Sequence, residues 1–327
     1  MPSTSTSATT PRTVLIWHVH GSWTEAFVAG GHDYLVPFTG DARAGGLRGR
    51  DWPDATEVTP DELRLRDVDL VVLQRVEDLE LAAQWLGRRP GVDVPAVFVE
   101  HNAPRPHPVD SRHPLADHSD IPIVHVTDFN ALMWDNGSAP VRVINHGVPD
   151  PGPLYTGEIA AAATMMNEPV RRWRTVGADL LGPLSGHVPI DVWGIASERL
   201  DEEPHRNARV SARGDLPTRE LLGEVARRRV YLHTARWTSL GLSLIEAMFL
   251  GMPIVAVAST MAPLVIPPEA GVVSADVPTL GWAAEGFVAD HVAAVTAGKA
   301  ARDYATTHFG VDRFLADWDR LIEEVSR

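Results

Sequence analysis

Apolar residues along this chain gather into short runs, at residues 14–17, 34–36, 70–73, 96–99, 123–126 and 141–144, interrupted only by His125 and Arg142 and each followed by a polar or amphipathic stretch. Continuous rather than alternating hydrophobicity is what strands covered on both faces require, so these runs predict an open parallel sheet. The first run is followed by a turn at His20 and Gly21 and a short helix over 23–29, which makes a βα unit. Pro149-Asp150-Pro151-Gly152-Pro153 then forms a cluster that neither helix nor strand can traverse, and it reads as a linker. The alternation resumes beyond it, with strands predicted at 162–166, 190–193, 230–233 and 254–257 and a helix at 218–228. Phe314, Leu315, Trp318, Leu321 and Ile322 recur at helical spacing over 311–325, giving an amphipathic terminal helix. The pattern predicts an α/β protein of two Rossmann-like domains, 13–150 and 151–310, with a terminal segment 311–327 and a disordered tail 1–12 rich in Ser, Thr and Pro. In such a pair the natural place for ligands is beyond the carboxyl ends of the strands.

Composition narrows the chemistry. The 327 residues include 29 Lys and Arg against 43 Asp and Glu, a net charge of −14, so nothing in the overall field attracts a nucleic acid. Bound phosphate needs a local, ordered set of donors instead. The absence of cysteine removes disulfides, thiolate catalysis and zinc–thiolate sites. No run approaches the ~18 apolar residues of a membrane span, and the tail has no signal-peptide core, so a cytoplasmic protein is expected, with peripheral membrane contact left open. The 14 histidines show no metal-ligand spacing, and no metal site is expected.

The most informative segment is Thr238-Ser239-Leu240-Gly241-Leu242-Ser243-Leu244-Ile245-Glu246-Ala247-Met248-Phe249-Leu250-Gly251-Met252-Pro253-Ile254-Val255, read as loop, helix, glycine stop and buried strand. Ser243 and Glu246 have capping-box spacing, Gly251 suits a left-handed C-cap, and Pro253 prevents continuation. Glu246 is then either a helix-capping residue or, with the free N–H groups from Leu242 onward facing a diphosphate, an acceptor for ribose hydroxyls.

This segment resembles the nucleotide-binding signature of the retaining glycosyltransferases of family 4, which have the GT-B fold, two Rossmann-like domains facing a central cleft. The family's signature opens with a glutamate eight positions before the second one, and here that position is Thr238. The resemblance implies that Glu246 binds the ribose, that Gly241, Leu242 and Ser243 approach the diphosphate, and that Thr238 stands near the donor sugar. Residues 220–235 resemble the helix and strand leading into the signature, and 143–148 the interdomain turn. In that fold the last helix commonly crosses back to the N-terminal domain; from sequence it could equally cap its own.

The resemblance also implies a cationic pair after the first strand of the second domain. Arg171, Arg172 and Arg174 occupy that place, and Glu168 stands where the family's arginine is expected. Arg172 and Arg174 are assigned to the phosphates with Arg171 as substitute, guanidinium forks being suited to phosphate oxygens; the alternative is a solvated helix start bearing surface charge. In the first domain Gly21 marks the acceptor-side loop, and no G-x-G-x-x-G supports nicotinamide binding. His101, after the run 96–99, is assigned to the catalytic centre, or else is structural; His18, His20, His125 and His146 stand behind it. The implied activity is hexosyl transfer from a nucleoside diphosphate sugar, a UDP or GDP sugar being favoured, to a small-molecule or glycan acceptor with retention of configuration. No separate cofactor is expected. A sugar-nucleotide epimerase and a non-catalytic nucleotide-sugar-binding protein are the alternatives.

Overall fold

The computed structural model describes residues 10–41, 43–203 and 208–326. The chain divides into two compact units, Met1–Gly147 with Val311–Arg327, and Val148–Gly310. The division falls just ahead of the proline cluster because the Val148 N–H donates to the Phe309 carbonyl at 2.9 Å, tying the linker to the second unit.

The first unit is built on β1 (Thr13–Ile16), α1 (Gly21–Phe27), β2 (Asp33–Asp41), β3 (Ala44–Gly45), β4 (Ala55–Val58), α2 (Pro60–Leu63), β5 (Leu70–Leu73), α3 (Val76–Leu86), β6 (Ala96–Glu100), β7 (Ile123–His125), α4 (Asp128–Met133) and β8 (Val141–Val143). The strands form one sheet in the order β3-β2-β1-β5-β6-β7-β8, with β4 also on β2, and every pairing is parallel except β2 with β3. Strands β5, β6 and β7 are buried at every position, as their largely apolar sequences require. Residues 1–9 of the expected tail lie outside the described residues. Arg12 is not part of a free tail: its N–H meets His32 Nδ1 at 3.2 Å and its carbonyl accepts from Asp33 N–H at 2.9 Å, so the chain is already anchored beside β2.

The second unit contains β9 (Ile159–Met165), α5 (Leu181–Ser185), β10 (Ile190–Trp193), β11 (Val210–Gly214), α6 (Thr218–Ala226), β12 (Arg228–His233), α7 (Leu242–Leu250), β13 (Ile254–Val257), α8 (Ala262–Val265), β14 (Gly271–Ser274), α9 (Val277–Ala289) and α10 (His291–His308). Its sheet is parallel throughout, in the order β11-β10-β9-β12-β13-β14. The two strands that hydrophobic patterning does not signal, β11 and β14, are its edges, where half-covered positions relax the demand for apolar residues. Helix α10 also escapes that pattern, because the face it buries is Ala294, Ala297, Gly298, Ala301 and Ala305, small residues that carry little hydrophobic signal.

The terminal helix α11 (Val311–Val325) packs on the first unit. Phe314, Trp318, Leu321 and Ile322 are buried in one core with Trp23 and Phe27, the Trp318 ring lying edge-on to Phe27 at 4.9 Å and to Trp23 at 5.8 Å. Burying side chains of this size contributes about 2–3 kcal/mol each, which holds the chain end in place. Arg313 Nη2 adds donations to the carbonyls of Asn145 and His146 at 2.9 and 2.8 Å. Among the described residues no helix is long and apolar enough to cross a membrane.

Candidate functional site

In the second sheet β9, first in sequence, lies between β10 and β12, so the chain winds outward from it in both directions. Such a reversal opens a crevice beyond the strands' carboxyl ends, between β9 and β12. The loops that follow these two strands meet there. Thr234 Oγ1 donates to the Val176 carbonyl at 2.8 Å, and the Arg236 N–H donates to the Thr175 carbonyl at 2.9 Å. Gly177 makes the approach possible: its φ is +75°, and a Cβ there would sit 2.0 Å from the Thr234 carbonyl oxygen. Asp179 closes the junction, accepting from Arg174 Nη1 at 3.0 Å and from Arg236 Nη1 and Nη2 at 2.6 and 2.9 Å.

Helix α7 starts from the same loop. Gly241, not Ser243, is its N-cap, and no side chain caps it. The capping box is therefore absent: Ser243 is already inside the first turn, and Glu246 lies one turn further on, too far along the helix to reach the cap. Gly251 does adopt the left-handed C-cap, with φ +86°. The side chain of Glu246 is half-buried, and its carboxylate has no hydrogen-bond or ion-pair partner among the described residues. Burial alone pushes it up to about 7. Beside the helix start, His233 is buried and held down to about 4, neutral at physiological pH, and its Cε1 is 3.1 Å from where a Cβ on Gly241 would lie. Thr238 Oγ1 is buried without a partner among the described residues.

The arginine cluster is less free than its sequence suggests. Arg171 closes on Glu168, with Nε 2.7 Å from Oε1, and both are exposed. Arg174 is spent in part on Asp179, and Arg172 is half-buried in the same turn. Arg236, Asp179, Gly177 and His233 are the residues of this region that sequence reasoning missed. The available signal was position: His233 ends β12, Arg236 comes soon after it, and Gly177 and Asp179 lie in the segment between β9 and the next helix, but only the strand order makes those two strands neighbours.

Gly21 and His101 belong to the first unit, and the other assigned residues to the second. There β1 lies between β2 and β5, and the carboxyl ends of β1, β5 and β6 gather His20, Gln74 and His101. The His101 and His20 rings are 4.1 Å apart, and Trp23 lies edge-on to His101 at 5.0 Å. His101 Nε2 is 3.0 Å from Gln74 Oε1. Burial holds His101 well below its ordinary value and takes His146 down to about 3, while His20 is lowered by burial and, less, by Arg105. Gly21 is the first residue of α1, with His20 as N-cap. His18 Nδ1 faces the Gly46 carbonyl at 3.2 Å, and His125 Nε2 faces Asn136 Oδ1 at 2.8 Å, so both are tied into the scaffold.

A scan of protein-family models and a search of curated proteins give no match. Solved structures do match. A sucrose-phosphate synthase from Thermosynechococcus elongatus aligns with a TM-score of 0.73 at 14% identity, over 96% of this chain and 98% of that one. Anabaena HepE in complex with UDP gives 0.72 at 14% identity, over 96% and 100%. Staphylococcus aureus TarM, in complex with fondaparinux, α-GlcNAc-glycerol and UDP, gives 0.63 at 15% identity over 77% of this chain, which spans 55% of TarM's length. At these identities the likeness is one of architecture: two parallel α/β units in sequence and a last helix returned to the first give this chain the GT-B fold.

Proposed function

We propose that this protein is a glycosyltransferase that moves a hexosyl group from a nucleoside diphosphate sugar to a small-molecule or glycan acceptor, with retention of configuration. The observation that carries the reading is Glu246: a half-buried carboxylate with no partner among the described residues is costly unless a ligand supplies donors, and a ribose diol supplies two. Its place in α7, beyond a helix start that no side chain caps, fits a diphosphate on the N–H groups of Leu242 and Ser243. Arg172 and Arg174 take the charge that develops on the leaving diphosphate, with Arg171 able to substitute by leaving Glu168, since exposed ion pairs are worth only about 0–1 kcal/mol. The reading needs no metal and no separate cofactor. UDP and GDP sugars are the favoured donors, in keeping with the UDP in the HepE and TarM structures. His101, with Gly21 close by in sequence to its neighbour His20, serves the first unit's share of the reaction.

Thr238 favours a second reading, binding without transfer, because a hydroxyl cannot supply the charge of the glutamate found there in the family. Calorimetry and thermal shift against UDP-, GDP-, TDP- and ADP-sugars, followed by product analysis with an acceptor panel, decide the matter. Stabilisation by one nucleotide sugar, lost in Glu246→Ala and in Arg172→Ala/Arg174→Ala, supports the donor site, and transfer separates the two readings. No binding at millimolar concentration refutes both.

A further inference from the structure

Gln74, immediately after β5, is buried, and its side-chain amide has one workable orientation. Nε2 donates to the Trp17 carbonyl at 2.6 Å. Reversing the amide would set two acceptors at that separation with no proton between them. Oε1 is therefore the atom that faces His101 Nε2 at 3.0 Å. An amide oxygen only accepts, so the proton of the neutral imidazole lies on Nε2 and the lone pair on Nδ1. Gln74 is itself held firmly: its backbone N–H donates to Asp78 Oδ2 at 3.1 Å, and the same buried carboxylate accepts from the Arg75 N–H at 2.9 Å and from Arg75 Nε at 3.0 Å. His20 and Trp23 confine the ring on other sides.

We infer that Gln74 is a positioning residue that locks His101 in the Nε2–H tautomer, so that a ligand group meeting Nδ1 must bring an O–H or N–H and a bare acceptor oxygen is refused. Burial supports this by keeping the ring neutral, since an imidazolium would donate from both nitrogens. The consequence for turnover rests on the glycosyl-transfer reading: a sugar hydroxyl is the class of group selected, and an analogue with fluorine in place of that hydroxyl loses the contact.

The test is long-range ¹H–¹⁵N correlation NMR of the full chain labelled with ¹⁵N-histidine, with His101→Asn identifying the ring's signals. At a pH above the ring's titration, wild type and Gln74→Glu should both show His101 as the single Nε2–H tautomer, and Gln74→Met should show a mixture or the Nδ1–H form. A wild-type proton on Nδ1, or an unchanged single tautomer in Gln74→Met, overturns the inference. Should Gln74→Met fail to fold, Gln74→Glu still decides, because a carboxylate against Nε2–H must raise the His101 titration, and an unmoved titration overturns the assignment. No substrate enters these spectra, so they are independent of the transfer reading. Where transfer is measured, Gln74→Met lowers kcat about tenfold with little change in donor KM.

Discussion

Replacing Glu246 by glutamine should make the free protein more stable and the liganded protein less so. An isolated glutamate ionises near 4.5, whereas burial holds this one at about 7 in the folded chain. Below pH 4.5 both folded and unfolded chains carry the proton and nothing is lost. Between 4.5 and 7 the unfolded chain releases its proton while the folded chain keeps it, so stability falls as pH rises, and above 7 the full cost is present. The displacement corresponds to about 3 kcal/mol, and partial solvent access to the half-buried side chain reduces it to about 1–3 kcal/mol. Glutamine has the same shape and no charge, so at pH 8 Glu246→Gln should raise the melting temperature by about 3–8 °C, with a gain that shrinks to nothing near pH 4.5. The same substitution removes the charged acceptor for a ribose diol, which should weaken nucleotide-sugar binding by about 2–3 kcal/mol, roughly 30- to 150-fold in Kd. In the wild type, affinity should rise about tenfold from pH 6 to pH 8 as the free carboxylate ionises. Differential scanning fluorimetry across pH, with and without ligand, and calorimetric titration at pH 6 and 8 read all of this. A variant that melts no higher than wild type at pH 8 shows that Glu246 has a partner, and one that keeps its affinity shows that the carboxylate is outside the donor site.

Three further outcomes follow from the packing. Gly177→Ala combines a left-handed backbone with a 2.0 Å clash against the Thr234 carbonyl, so it should cost about 3 kcal/mol and abolish the ligand-induced thermal shift by parting the two loops; unaltered binding would disconnect the β9–β12 junction from function. Trp318→Ala empties a buried site against Trp23 and Phe27 and should cost about 3–5 kcal/mol in urea unfolding followed by far-ultraviolet circular dichroism, whereas a loss under 1 kcal/mol would mean that α11 is not a core element. Asp191→Ala strips one carboxylate from the buried Arg228, whose Nε it accepts at 2.7 Å, and should destabilise the second unit by about 2–3 kcal/mol, less than a fully orphaned charge because Glu224 and the Trp193 ring stay in contact.

Much of the architecture is written in local pattern. Apolar runs locate the central strands of both sheets, since residues covered on both faces have no polar alternative, and the stripe of Phe314, Trp318, Leu321 and Ile322 locates α11. The segment 238–255 likewise announces a loop, a helix, a left-handed glycine and a strand through short-range sterics and hydrogen bonding. Edge strands β11 and β14 leave no such trace, because one open side relaxes the constraint, although β8, an edge of the first sheet, keeps its apolar run. The capping-box spacing of Ser243 and Glu246 is overridden for a related reason: the preceding loop carries the helix start back to Gly241, and that loop is shaped by its bonds to residues 175–179. Strand order, a long-range property, is what puts β9 beside β12 and so brings Gly177 against Thr234 and Arg236 against Asp179. The same holds for chemistry. Residue type makes Glu246 and His101 ionisable, but burial in the fold moves one up to about 7 and, helped by His20 and His146, the other well down, and only the fold puts Gln74 where it can choose the nitrogen on which His101 carries its proton.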